Sequence, residues 1–267
     1  MLSVNLATDA SPALSVSIFP RLDDLGRAAA VKSAEIITAA IRTRGCARIL
    51  VATGNSQLAL MGYLAAMKLP WDRVDAFHLD EYVGIGPNHP ASFRFWIRTR
   101  FEEKVRPRSM HYLCGDAPDP DAEAARYGEL LLAEPLDLAF VGIGENGHIA
   151  FNDPHVADFK DPLTVKRVEL DTACRTQQVR EGHFPDIASV PREALSVTCS
   201  GLMRAAHWVC SVPELRKADA VRASLEGPLT PACPGSLVRT HPSAFLYLDL
   251  ESSSKLARPF PSSFAAS

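Results

Sequence analysis

No stretch of this 267-residue sequence reaches 18 uninterrupted apolar residues, so no segment is expected to cross a bilayer as a helix. The N-terminal MLSVNLATDASPALSVSIFP has no positive charge ahead of its apolar residues, which is not a secretory pattern. Basic residues are not in excess: 28 Lys and Arg against 31 Asp and Glu leave a net charge of −3. They are scattered, which argues against nucleic acid or an anionic membrane as partner and favours a small molecule. The cysteines at 46, 114, 174, 199, 210 and 233 form no CxxC pair. A chain this long does not depend on disulfides, so they read as reduced thiols of a cytoplasmic protein, several within its core. His78, His89 and His148 show no HxxxH or HxH spacing and no adjacent cysteine, so no metal site is expected. There is no G-x-S-x-G elbow for a serine hydrolase.

What is present is the composition of a globular protein, 47% hydrophobic and 22% charged. Leu22, Leu25, Ala29, Ile36 and Ala40 trace a helical stripe that Gly45 should end. ARILVAT is a strand, followed by the polar turn Thr53-Gly54-Asn55-Ser56 and a helix marked by Leu58, Met61, Leu64 and Ala65. VDAFHL, Leu136–Ile143, ALSVT, AHWVCSV and AFLYLDL add strands. Helices are expected around Phe93–Phe101, along AEAARYGELLLAE and from about Glu214 to Leu225. This alternation predicts an α/β fold, a single-domain, Rossmann-like, doubly wound and mainly parallel sheet with helices on both faces. Residues 1–255 read as that domain. Residues 256–267, ending in ARPFPSSFAAS, read as a loosely held tail.

FVGIGENGHIAFNDP, residues 140–154, has the Gly142-x-Gly144-x-x-Gly147 spacing of a dinucleotide site, and Glu169 and Asp171 lie near the place of its acidic residue. That motif needs a helix directly after its strand, and Pro154 and Pro162 leave no room for one. The glycines therefore serve another purpose. In such sheets ligands bind outside the carboxyl ends of the strands. Thr53–Ser56, Asp80-Glu81 and Glu145–His148 each follow an apolar strand, so all three should converge. The first offers N–H groups and hydroxyls to a phosphate, or is a plain helix cap. The acidic pair offers a general base, or is an exposed turn. His148 lies between Asn146 and Asp153, and a glycine turn can bring both side chains to one ring nitrogen and fix its tautomer.

The strings FHLDEYVGIGPNHPASFRFWIRTRFEEKV and LAFVGIGENGHIAFNDP, with VPREALSVT and RTHPSAFLYLD, resemble the glucosamine-6-phosphate deaminase (isomerase) family from about residue 20 to 250. The resemblance implies conversion of a phosphorylated amino sugar to fructose 6-phosphate and ammonia, without metal or organic cofactor. It makes Asp80 the base that moves the C2 proton to C1, and His148 the ring-opening histidine, oriented by Asn146 and Asp153. It makes Thr53, Gly54, Asn55 and Ser56 the phosphate turn, with Lys217 and Arg180 as phosphate-binding cations. Asn146 and Asp153 stand where many members carry Asp and Glu. A homo-oligomer is neither required nor excluded. Two other functions fit the same residues: a 6-phosphogluconolactonase, from a related family with a similar Gly-His turn, and a catalytically silent sugar-phosphate sensor.

Overall fold

A computed structural model describes residues 4–5 and 13–257. Residues 258–267 of the expected tail, and most of the first twelve residues, lie outside the described region. The helix Leu22–Arg44 ends where Gly45 takes φ 83° and returns its N–H to Ile41. Asp23 and Asp24 in its first turn, with Arg42 and Arg44 in its last, complement its dipole. It buries Leu25, Gly26, Ala29, Ile36 and Ile37. A Cβ on Gly26 would stand 2.5 Å from that of Ala59, so this glycine lets the helix Leu58–Ala66 pack closely. The turn at Thr53–Ser56 leads into that second helix and is fixed with it.

The strands are β1 (Val4–Asn5), β2 (Ala13–Phe19), β3 (Ala47–Val51), β4 (Val74–His78), β5 (Asp80–Tyr82), β6 (Ser109–His111), β7 (Leu136–Val141), β8 (Val165–Glu169), β9 (Glu193–Val197), β10 (Ala205–Val212) and β11 (Ser243–Asp249). Eight form one sheet in the order β1-β2-β11-β10-β7-β3-β4-β6. Seven of these are parallel, and β1 joins the edge antiparallel. β3 and β7 are buried along their whole length, as strands covered on both faces must be. The chain runs outward from β3 through β4 to β6, then returns to lay β7 on the other side of β3. The β3–β7 boundary is therefore the switch point of the sheet, where a crevice opens at the strands' carboxyl ends.

The expected alternation accounts for the parallel sheet but not for a second, three-stranded antiparallel sheet, β5-β9-β8. ALSVT is a strand as expected and LTVKRVELD supplies another, yet they pair with each other and with Asp80–Tyr82. Between β7 and β8 no helix intervenes, and the next is Thr172–Arg180. The switch-point crevice lies between the main sheet and this small one.

Candidate active site

The crevice holds roughly 670 Å³ including its open mouth, within the range of small-molecule sites. Its floor on one side is the turn after β3. Gly54 adopts φ 93°, ψ 170°, a conformation closed to other residues, and Asn55–Gln57 forms a 3-10 turn into the helix. Ser211 Oγ on β10 donates to the Ser56 carbonyl at 2.8 Å, and Gln57 Nε2 donates to Ser56 Oγ at 3.1 Å. A Cβ on Gly142 would lie 3.3 Å from Ser56 Oγ, so the first glycine of the string lets the ends of β3 and β7 close together. Opposite, Lys217 is 5% exposed, and burial lowers the pKa of its ammonium. Among the described residues its Nζ has no hydrogen-bond partner. A buried cation without a partner beside a turn rich in N–H groups is complementary to an anion.

Alternation along β5 separates the two neighbouring carboxylates. Glu81 turns away from the crevice and accepts from Ser92 Oγ at 2.6 Å and from the backbone N–H groups of Tyr82, Phe93 and Arg94. It closes the start of the helix Phe93–Ile97 and is structural. Asp80 lines the crevice, is 6% exposed, and has no side-chain hydrogen bond among the described residues. Burial, then the nearby Glu81, raises its pKa well above the usual carboxylate range. Raised in this way, it is a stronger base once ionised.

His148 is held from behind. Its Nδ1 lies 2.7 Å from Asn146 Oδ1 and 3.0 Å from Asp153 Oδ1, and Asn146 Nδ2 donates to the same Asp153 oxygen at 2.9 Å. The His148 backbone N–H also donates to Asn146 Oδ1, so flipping the amide would set its NH2 against two donors. The proton of the neutral ring therefore sits on Nδ1, and Nε2 presents a lone pair. Burial works to raise the pKa of Asp153, but its bonds with His148 and Asn146 prevail and lower it. Gly144 has no side chain because the imidazole lies where its Cβ would be. Gly147, at φ 86°, turns the loop and accepts the N–H of Gly235 at 2.7 Å.

The expected cations divide. Arg180 does not line the crevice: its side chain is 60% exposed and pairs with Glu145 at 2.6 Å. The arginine that does line it is Arg216, bonded to Glu214 and Glu181 at 2.5 Å each and to Glu145 at 3.4 Å. Burial opposes ionisation of Glu181, but its bond with His183 and the charge of Arg216 outweigh this and hold it at about 2. Sequence reasoning passed over Arg216, Glu181, Gln177, Gln178 and His183, although Arg216 directly precedes Lys217. It also passed over the stacked rings of Phe93 and Phe151, 5.7 Å apart, which give the crevice an apolar wall. The histidines weighed as metal ligands are dispersed, His78 against Tyr112 and His89 against Phe184. His148, Asp153 and Cys174 do offer ligand atoms within 4.8 Å of one another, but those of the first two are engaged with each other.

Residues 20–246 match the sequence model of the glucosamine-6-phosphate isomerases/6-phosphogluconolactonase family. A glucosamine-6-phosphate deaminase of an Exiguobacterium species is 33% identical over 78% of this chain and 80% of its own length. One of Listeria welshimeri is 32% identical over 84% and 94%. Among solved structures, a monomeric glucosamine-6-phosphate deaminase superposes with a TM-score of 0.82 at 28% identity, covering 90% of this chain and 99% of that one. The 6-phosphogluconolactonase of Trypanosoma brucei reaches 0.74 at 18% identity, covering 91% and 98%, a likeness of fold.

Proposed function

The chain belongs to the glucosamine-6-phosphate isomerase/6-phosphogluconolactonase family, and from that membership we propose that this sugar-phosphate enzyme converts glucosamine 6-phosphate and water to fructose 6-phosphate and ammonia. The observation that carries the choice is Asp80, a buried carboxylate without a partner in the same crevice as His148. Hydrolysis of a lactone needs one group to activate water. Moving a hydrogen between two carbons needs a second base, and Asp80 is suited to it.

In this reading the phosphate rests on Thr53–Ser56 and Lys217. Nε2 of His148 takes the proton of the anomeric hydroxyl as the C1–O5 bond breaks, and returns it to O5. Asp80 then removes the proton on C2 while O1 takes a proton from the substrate's own ammonium group, giving an enolamine, and Asp80 delivers the C2 proton to C1. The resulting C2 imine adds water and releases ammonia. Asn146 and Asp153 are positioning residues that hold the proton of the neutral ring on Nδ1 and so turn the Nε2 lone pair to the substrate. Arg180 has no part in it, and Arg216 takes over as the second cation near the phosphate. Ammonia release from glucosamine 6-phosphate, measured alongside hydrolysis of 6-phosphogluconolactone, tests the reading. Lactone hydrolysis without ammonia release would overturn it.

Lys217→Ala should raise KM far more than it lowers kcat. A phosphate contact remote from C2 binds ground state and transition state alike. An unchanged KM in steady-state assays would remove Lys217 from the site.

A further inference from the structure

The helix Thr172–Arg180 is polar on the side it buries. Cys174, Gln177 and Gln178 are its buried residues. With Glu181 just beyond, positions 174, 177, 178 and 181 share one face. Gln177, Gln178 and Glu181 line the crevice. The ends of this stripe are fixed by what they touch. Cys174 Sγ lies within 4.8 Å of ligand atoms of His148 and Asp153, at the ring-opening end. Glu181 accepts from Arg216 at 2.5 Å, next to Lys217 at the phosphate end. The seven residue steps from Cys174 to Glu181 rise about 10 Å, comparable to the reach of a hexose 6-phosphate from its anomeric carbon to its phosphate. The two glutamines therefore face the middle of the sugar, where the C3 and C4 hydroxyls project.

The two amides are not equivalent. Gln177 Nε2 donates to Glu181 Oε1 at 2.8 Å and is engaged within the wall. Gln178 is 6% exposed, and its side-chain amide has no hydrogen-bond partner among the described residues. An unengaged amide in the crevice wall is free to bond a ligand, and with one acceptor and two donors it can bridge adjacent hydroxyls. We propose that Gln178 is the specificity-determining residue that reads the middle hydroxyls of the phosphosugar, and with them the configuration at C4. This rests on reading the crevice as a hexosamine-phosphate site. Inverting C4 carries one hydroxyl out of reach and leaves the amide unpaired, which is how polar sites reject close analogues.

The test uses ligands that cannot be deaminated. Dissociation constants for glucose 6-phosphate, its C4 epimer galactose 6-phosphate and inorganic phosphate are measured by calorimetry on the parent, Gln178→Leu and Gln178→Met. The parent should separate the epimers about tenfold or more, as a single net hydrogen bond does. Both variants should lose most of that ratio by binding the favoured epimer more weakly, while phosphate affinity, which also reports folding, stays the same. A parent that binds both epimers equally, a ratio that survives both substitutions, or no binding of either sugar overturns the proposal. A ratio that responds to Gln178 in a parent that releases no ammonia from glucosamine 6-phosphate would sink the deaminase reading and leave this one standing.

Discussion

Asp80→Asn is expected to abolish ammonia release and also the exchange of the C2 proton with deuterated solvent, because it removes the base for that step while keeping size and shape. His148→Gln should do less. Hexose phosphates open their rings spontaneously, though slowly, so the small open-chain fraction should still be processed. The two losses should differ by an order of magnitude or more, within the roughly 10²–10⁴ that such proton transfers contribute. Equal losses, or a His148 variant less active than the Asp80 variant, would reopen the lactonase reading. The same residue sets a stability signature. The carboxyl is held protonated in the folded state to higher pH than its unfolded value of 3.8, by burial first and then by Glu81. Between those two values the folded state binds more protons than the unfolded state, so stability falls as pH rises through the window. Asp80→Asn removes that loss, and its Tm should gain on the parent's as pH rises from 4 towards neutrality. The acid limb of the parent's kcat/KM profile should lie above the ordinary carboxylate range. A Tm difference independent of pH would mean that the buried carboxyl is satisfied in some other way.

The second large effect belongs to a residue with no functional group. A Cβ on Gly144 would stand 2.1 Å from Cε1 and 2.3 Å from Nε2 of His148, closer than any rearrangement short of moving the ring could relieve. Gly144→Ala should therefore reproduce the loss of His148→Gln while leaving the fold intact, since the displaced ring lies at the crevice and not in the core. The check is twofold. Turnover should drop to the His148→Gln level, and the His148→Gln/Gly144→Ala double variant should be no worse than either alone, because the two changes remove one interaction. Independent, additive losses would show that Gly144 acts on something other than the imidazole. Gly147→Ala would be a poor substitute for this test, because its φ of 86° strains any side chain.

Much of this site is local in origin, and that part is legible in the sequence. Thr53–Ser56 follows a mostly apolar strand and precedes a helix, so its place at the carboxyl edge of the sheet comes from order along the chain alone. The spacing of Gly144, Asn146, Gly147 and His148 lies within one turn, where backbone conformation decides which side chains meet. Pro154 and Pro162 told against a dinucleotide helix because a proline constrains its own neighbours. The parallel sheet followed from alternation, which is a periodic property of the chain.

Tertiary structure decided the rest, because the deciding contacts join residues far apart in sequence. Asp80 and Glu81 are adjacent and alike, and only the pairing of β5 with β9, Asp80 opposite Ser196, determines which faces the crevice. A shift of one residue in that register would exchange their roles. The strand β9 is readable as a strand, but not as a member of a second sheet, since pairing depends on where the chain folds back. Arg180 and Arg216 are both basic residues near polar helices. Both pair with Glu145, but Arg180 does so from the exposed end of its helix, while the turn that buries Lys217 places Arg216 in the crevice wall. Gln178 carries no signal at all in a run of polar residues. Its burial arises only because β5, β7 and the helix Thr172–Arg180 enclose one crevice from three distant parts of the chain.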